Sequence, residues 1–245
     1  MPGCDRGDGP PRILALWSAP RSRSTAFARM IAERGDYQVL HEPFSHVMDF
    51  GEAAVGDRLV HTEDELISAL RDLAASSPVF FKDTTDFHYP GLLADRKFLA
   101  GPAHTFLIRH PAEAIASHAV LNPGLGRDEI GFERLAEIYD AVAAVTGAAP
   151  VVVDSGDLVD RPRETVRAYC QAAGIPFLPG ALSWRPGMLS AWQKTSRWHE
   201  STSGTSGFVR SAASRPAVPG SPLLTEYLAY HLPFYEKLRE VALVP

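Results

Sequence analysis

Six consecutive residues, Pro20-Arg21-Ser22-Arg23-Ser24-Thr25, crowd two guanidinium groups and three hydroxyls into one short stretch. An apolar run, Ile13-Leu14-Ala15-Leu16-Trp17, precedes them and reads as a buried strand. Beyond them Phe27, Met30 and Ile31 recur at i, i+3, i+4, the spacing of an amphipathic helix. A strand, a tight turn and a helix N terminus aim unsatisfied backbone N–H groups and the positive helix end at one point. With the arginines and hydroxyls added, that point is a cradle for a phosphate or a sulfate. The usual ATP loop, G-x-x-x-x-G-K-[ST], needs glycines and a lysine that this turn lacks. The cradle is therefore built for a different anion.

Three more strand ends carry charge: His41-Glu42-Pro43-Phe44, Lys82-Asp83 and Arg109-His110-Pro111. Each alone reads as ordinary turn chemistry. Asp83, Asp86 and His88 read equally well as helix caps or surface residues, and Pro111 as a helix start. Together they resist that reading, because core packing gives no reason for a charge at every strand exit. Ser117 follows Arg109 by eight residues and falls near the second turn of the helix begun by Pro111. Arginine and hydroxyl can then reach one anion, which marks a second phosphate site. Strand alternation sets His41 and Glu42 on opposite faces, so only one of them should enter a shared site.

The elements that must bring these residues together are short β-rich runs alternating with helical patterns. Strands are predicted at 13–17, 37–40, 79–82, 105–108 and 151–153. Helices are predicted at 24–34, 62–75, 92–99, 112–119, 129–147, 163–173 and 223–238. The pattern implies an α/β fold, a central parallel sheet of about five strands flanked by helices. Such sheets bind ligands beyond the carboxyl ends of their strands, where all four charged segments lie. Residues 1–11 are expected to be a disordered tail and 12–245 a single domain. Within it, 49–62 and 122–131 are irregular, Gly-containing stretches suited to line an acceptor site. Phe50, Phe87, Tyr89 and Trp192 are candidates for its apolar wall, although each also suits the core.

Composition narrows the function classes. The 245 residues are 45% apolar and 22% charged, as in a soluble globular domain. A net charge of −5 argues against general nucleic-acid binding, so the arginines serve a local task. Cys4 and Cys170 are the only cysteines, which makes neither a disulfide framework nor a zinc site. A reducing compartment follows, and the cytoplasm is expected. The first dozen residues read as excluding a secretory signal, and no apolar run of about eighteen residues spans a membrane. Oligomeric state is not legible.

The chain resembles the sulfotransferases that use 3′-phosphoadenosine-5′-phosphosulfate (PAPS), in a bacterial branch with a P-R-S-x-S-T turn and an H-E-P-F segment. Further landmarks are the strand 151–153 leading into Asp154-Ser155-Gly156-Asp157-Leu158, then Arg161-Pro162, and the helix end at Gly174-Ile175-Pro176-Phe177. The resemblance implies a P-loop NTPase-like sulfotransferase fold. It implies that the 5′-phosphosulfate lies on Arg21, Ser22, Arg23, Ser24, Thr25 and Ala26, and the 3′-phosphate on Arg109 and Ser117. Many animal cytosolic members carry lysine where Arg21 stands, and a C-terminal R-K-G-x-x-G-D-W-K that this chain lacks. The segment from Trp198 and His199 through Ser206, Gly207 and Phe208 takes its place, either as a 3′-phosphate and ribose loop or as a plain flexible one.

Sulfuryl transfer is an in-line displacement dominated by positioning and charge stabilisation. It needs a base for the acceptor proton. Glu42 is the first choice, His41 its rival, and His88 a weaker third. Lys82 and Arg21 would neutralise charge on the leaving nucleotide. PAPS is the donor, adenosine 3′,5′-bisphosphate (PAP) the product, a small hydroxyl or amine compound the acceptor, and no metal is required. Two alternatives stay open. One is a divergent ATP-using small-molecule kinase, with Asp83 or Asp154 toward magnesium. The other is a non-catalytic nucleotide-binding protein of the same fold.

Overall fold

A computed structural model describes residues 9–188, 200–210, 218 and 221–245. β1 (Ile13–Ser18) runs through a turn at 19–23 into α1 (Ser24–Arg34), then β2 (Gln38–His41) and α2 (Pro43–Phe50). The hairpin of β3 (Ala53–Val55) and β4 (Arg58–Val60) leads to α3 (Glu63–Ser76) and β5 (Val79–Thr84). Two short helices, α4 (Pro90–Ala94) and α5 (Arg96–Ala100), precede β6 (Ala103–Ile108), α6 (Pro111–Leu121) and α7 (Phe132–Thr146). Then come β7 (Val151–Asp154), α8 (Ser155–Asp160), α9 (Pro162–Ala173), α10 (Glu200–Ser203) and α11 (Pro222–Glu240).

Five strands form one sheet in the order β2-β5-β1-β6-β7, every neighbouring pair parallel. All their carboxyl ends therefore open on one edge. β1 sits at the centre, and its side chains alternate between two cores. Ile13, Ala15 and Trp17 pack with Leu66 and Leu70 of α3 and Leu135 and Ile138 of α7. Leu14 and Leu16 pack with Phe27 and Ile31 of α1 and Val166 and Tyr169 of α9. A strand buried on both faces reads as a continuous apolar run, which is what parallel sheets require. Among the described residues no helix is long and apolar enough to cross a membrane.

The sequence reading departs from the structure in several elements. The stretch 49–62, read as an irregular loop, ends α2 and forms the β3–β4 hairpin around Gly56, whose φ is 58°. The predicted helix at 92–99 is two helices, because Asp95 ends α4 and caps α5 by accepting from Phe98 N. The helix predicted from 129 begins at Phe132, after a 3₁₀ turn over Arg127–Ile130 and a left-handed Gly131. Residues 1–8 of the expected tail, Trp192, and Trp198 and His199 of the late loop lie outside the described residues.

Candidate active site at the carboxyl edge of the sheet

The three described non-glycine residues with positive φ are Arg21 (65°), Arg23 (68°) and Glu42 (51°). All three lie just past strand ends on this edge. Left-handed backbone costs a residue with a Cβ about 1–2 kcal/mol, and such outliers cluster where the backbone serves a ligand. Left-handed residues at alternate positions are a feature of backbone nests that bind anions. Arg23 is the N-cap of α1 and places no side-chain cap on its first turn. Ser22 Oγ is buried without a hydrogen-bond partner among the described residues. A hydroxyl, a helix N terminus and this turn fit an anion better than they fit the protein's own groups.

Residues expected at two separate anion sites lie in one hydrogen-bonded cluster. Arg109 Nη1 donates to the Arg21 carbonyl at 2.8 Å, and Arg21 Nε donates to Ser117 Oγ at 3.2 Å. Glu113, one turn after Arg109 on α6, ties the arginines together. Its Oε2 lies 3.0 Å from Arg109 Nε and 3.3 Å from Arg23 Nη2. Arg23 Nη1 also donates to Ser155 Oγ at 3.0 Å, where α8 begins. Burial lowers the pKa of Arg21, Arg23 and Arg109, and mutual repulsion adds to it for Arg23 and Arg109. Arg23 and Arg109 share the Glu113 carboxylate, and all three guanidinium groups are partly desolvated. The sequence reading gives neither Ser155 nor Glu113 a role; the i,i+4 spacing of Arg109 and Glu113 is a signal that could have found the second.

On the other side of β1, Lys82 lies within β5, which runs two residues beyond the strand end expected at 82; it is buried and its Nζ is ion-paired with Glu42 Oε1. Glu42 N donates to the Lys82 carbonyl at 2.7 Å. His41 Nε2 stands 3.5 Å from Glu42 Oε2. The expectation that alternation separates these two side chains fails, because Glu42 leaves the strand in left-handed backbone and swings back beside His41. Glu42's charge also raises the pKa of Arg21, so the pair and the arginine cup share one field.

Asp83 takes the role that the N-cap residue Glu42 leaves open. It accepts from Phe44 N at 2.6 Å and from Ser45 N and Oγ at 3.1 and 2.6 Å, capping α2 from a neighbouring strand. Burial pushes its pKa up to about 7, against those donors. Asp154 is similarly committed, accepting from Gly156 N at 2.7 Å and Tyr235 Oη at 2.9 Å.

Other expected residues lie elsewhere. His88 is exposed, with Nε2 3.5 Å from Glu137. Tyr89 is core, its hydroxyl donating to the Thr84 carbonyl at 2.6 Å. Phe87 packs against the same core and Phe50 is exposed. Ser206 and Gly207 pair with the segment before them, through Trp184 N to Ser206 O at 3.1 Å and a Ser183–Gly207 bridge. Ser24 is buried, while Thr25 and Ala26 are half-buried in the first turn of α1.

A family model described as Sulfotransferase domain matches residues 12–242. Branched-chain-amino-acid aminotransferase-like proteins 1 and 2 of Arabidopsis thaliana are each 27% identical to the chain, over 94% and 93% of its length. The chain spans less than half of those relatives, 42% and 41%. A crystal structure of a sulfotransferase from Alicyclobacillus acidocaldarius superposes with a TM-score of 0.52 at 14% identity, covering 94% of each chain. That likeness establishes the same fold.

Proposed function

Because the chain belongs to the sulfotransferase-domain family, we propose that it transfers a sulfuryl group from PAPS to a hydroxyl or amine of a small-molecule acceptor. The observation that carries the reading is the joining of two strand exits by the Arg109–Arg21 and Arg21–Ser117 contacts. A nucleotide with phosphates at both ends needs two anion holders side by side. The residues fit that donor: Ser22, Ser24, Thr25 and the backbone of the turn hold the 5′ end, while Arg109 and Ser117 hold the ribose phosphate. Ser206 and Gly207 remain our assignment to the ribose side of the pocket. PAPS supplies the sulfuryl group and a stable leaving nucleotide.

In the reaction an acceptor oxygen or nitrogen forms a bond to sulfur as the bridging oxygen–sulfur bond breaks and PAP departs. The chain's own groups position and balance charge. Lys82 and Arg21 meet the negative charge that develops on the leaving oxygen. Glu42 takes the acceptor proton, and His41, close to its second oxygen, holds the carboxylate in place. The kinase alternative loses its support at the two aspartates it needs, since Asp83 and Asp154 both cap helices. The buried free thiol of Cys170 suits a reducing, cytoplasmic setting.

Incubation with PAPS and a panel of hydroxyl and amine compounds tests this directly. Acceptor-dependent release of PAP without added divalent metal is the expected result. Hydrolysis or transfer from magnesium–ATP, with PAPS untouched, would overturn it.

A further inference from the structure

α2 begins without help from its own N-cap residue. A helix leaves its first backbone N–H groups unpaired, and the N-cap side chain ordinarily accepts from one of them. Glu42 is the N-cap of α2, yet its side chain caps nothing and its backbone is left-handed, with φ 51° and ψ 46°. Its carboxylate is engaged by Lys82 Nζ, with His41 Nε2 3.5 Å from the second oxygen. Glu42 is nonetheless continuous with the helix, because its carbonyl accepts from His46 N at 2.8 Å. Where α2 sits therefore decides where Glu42 points.

Asp83 supplies the cap, one residue beyond Lys82 on β5. Its Oδ2 is taken by Phe44 N, and its Oδ1 by the Ser45 N–H and hydroxyl. Thr84 N donates to the same Oδ1 at 3.0 Å. Ser45 Oγ also lies 3.1 Å from Thr84 Oγ1 and 2.9 Å from Tyr89 Oη, so the cap belongs to a buried polar network. Successive residues of one strand thus divide two tasks: Lys82 holds the side chain of Glu42, and Asp83 holds the helix that Glu42 starts. The division depends on a carboxylate. Both oxygens of Asp83 face backbone N–H donors, and an amide NH₂ in place of either would meet a donor head-on.

We propose that Asp83 is a positioning residue for the transfer reaction: by capping α2 from β5 it relieves Glu42 of that duty and holds its carboxylate against Lys82. The proposal rests on the sulfotransferase reading above, in which Glu42 takes the acceptor proton. Asp83 touches neither donor nor acceptor and acts only through Glu42.

Crystal structures of wild type and Asp83→Asn read the positioning itself. In the variant the Glu42–Lys82 pair is expected to separate, with Arg21, Arg109 and Ser117 unmoved; an intact pair overturns the proposal. With PAPS and the best acceptor of the panel above, Asp83→Asn is expected to lower kcat about tenfold. KM for PAPS and the stabilisation by PAP should not change. In a Glu42→Gln background the same substitution should lower kcat no further, and additive losses overturn the proposal. A merely structural Asp83 would lower the melting temperature and leave kcat of the folded protein alone, a result that also overturns it. If Asp83→Asn does not fold, Ser45→Ala takes its place in both measurements, since it removes the hydroxyl donor and keeps the backbone N–H. A loss in kcat of about threefold is then expected, and an unchanged kcat overturns the proposal. Wild type that neither binds PAP nor releases it from PAPS overturns the sulfotransferase reading, while the crystal comparison still decides whether Asp83 holds Glu42.

Discussion

Glu42 and Lys82 form a pair whose two members carry separable tasks. Glu42→Gln keeps the side-chain shape and removes the proton acceptor. On the present account kcat falls by about a hundredfold or more, while PAP raises the melting temperature of the variant as it does for wild type. Normal turnover by Glu42→Gln would move the base elsewhere. At this scale the sequence was partly legible. Arg21, Arg109, Glu42 and Lys82 could be picked out as candidates because charges at successive strand exits have no packing explanation, and Ser117 because of its eight-residue spacing from Arg109. Asp83 was legible as a possible helix cap, but not which helix it caps, because a carboxylate that caps a helix belonging to another strand leaves no local signature. His41 was misplaced for a related reason: alternation holds only while the backbone stays extended, and the positive φ at Glu42 ends it one residue early.

At the scale of elements, the junction between β5 and α7 is fixed by a close backbone approach. Gly131 has φ 80°, and a Cβ there would sit 2.5 Å from the Thr85 carbonyl oxygen. Gly131→Ala is expected to destabilise the fold by about 1–3 kcal/mol or more. Unchanged stability in thermal melts would mean that this close approach relaxes freely. The strands and most long helices were legible from apolar runs and 3.6-residue periodicity. The β3–β4 hairpin was not, because three-residue strands around a single glycine are too short to show alternation. The split between α4 and α5 was hidden for a different reason, since the apolar pattern continues through Asp95 while its side chain starts a new helix.

For the molecule as a whole, the parallel order places every functional strand exit on one edge, and a buried histidine helps hold the sheet's centre together. Trp17 Nε1 donates to His104 Nδ1 at 3.0 Å, and indole can only donate. His104 therefore carries its proton on Nε2, which faces the Phe98 carbonyl at 3.2 Å. Burial pushes its pKa down to about 4. The unfolded chain binds this proton from about pH 6.5, so the stability that neutral His104 contributes is present above that pH and is lost as pH falls toward 4. Comparison with His104→Gln cancels the opposing contributions of Asp83 and Asp86. Between pH 7 and 4 the wild type should lose about 3 kcal/mol relative to that variant, read from urea unfolding; a constant difference would contradict the buried neutral assignment. The fold class was legible from the alternation of strands and helices, but the depth of this core was not, because a lone histidine in a strand gives no sign of its partner. The account as a whole turns on a donor pocket shared by the β1 and β6 exits, and a thermal-shift titration with PAP in the absence of magnesium tests it most directly. Wild type should be stabilised in a dose-dependent way and Arg109→Ala should not; stabilisation by magnesium–ATP alone, or an undiminished response in Arg109→Ala, would contradict it.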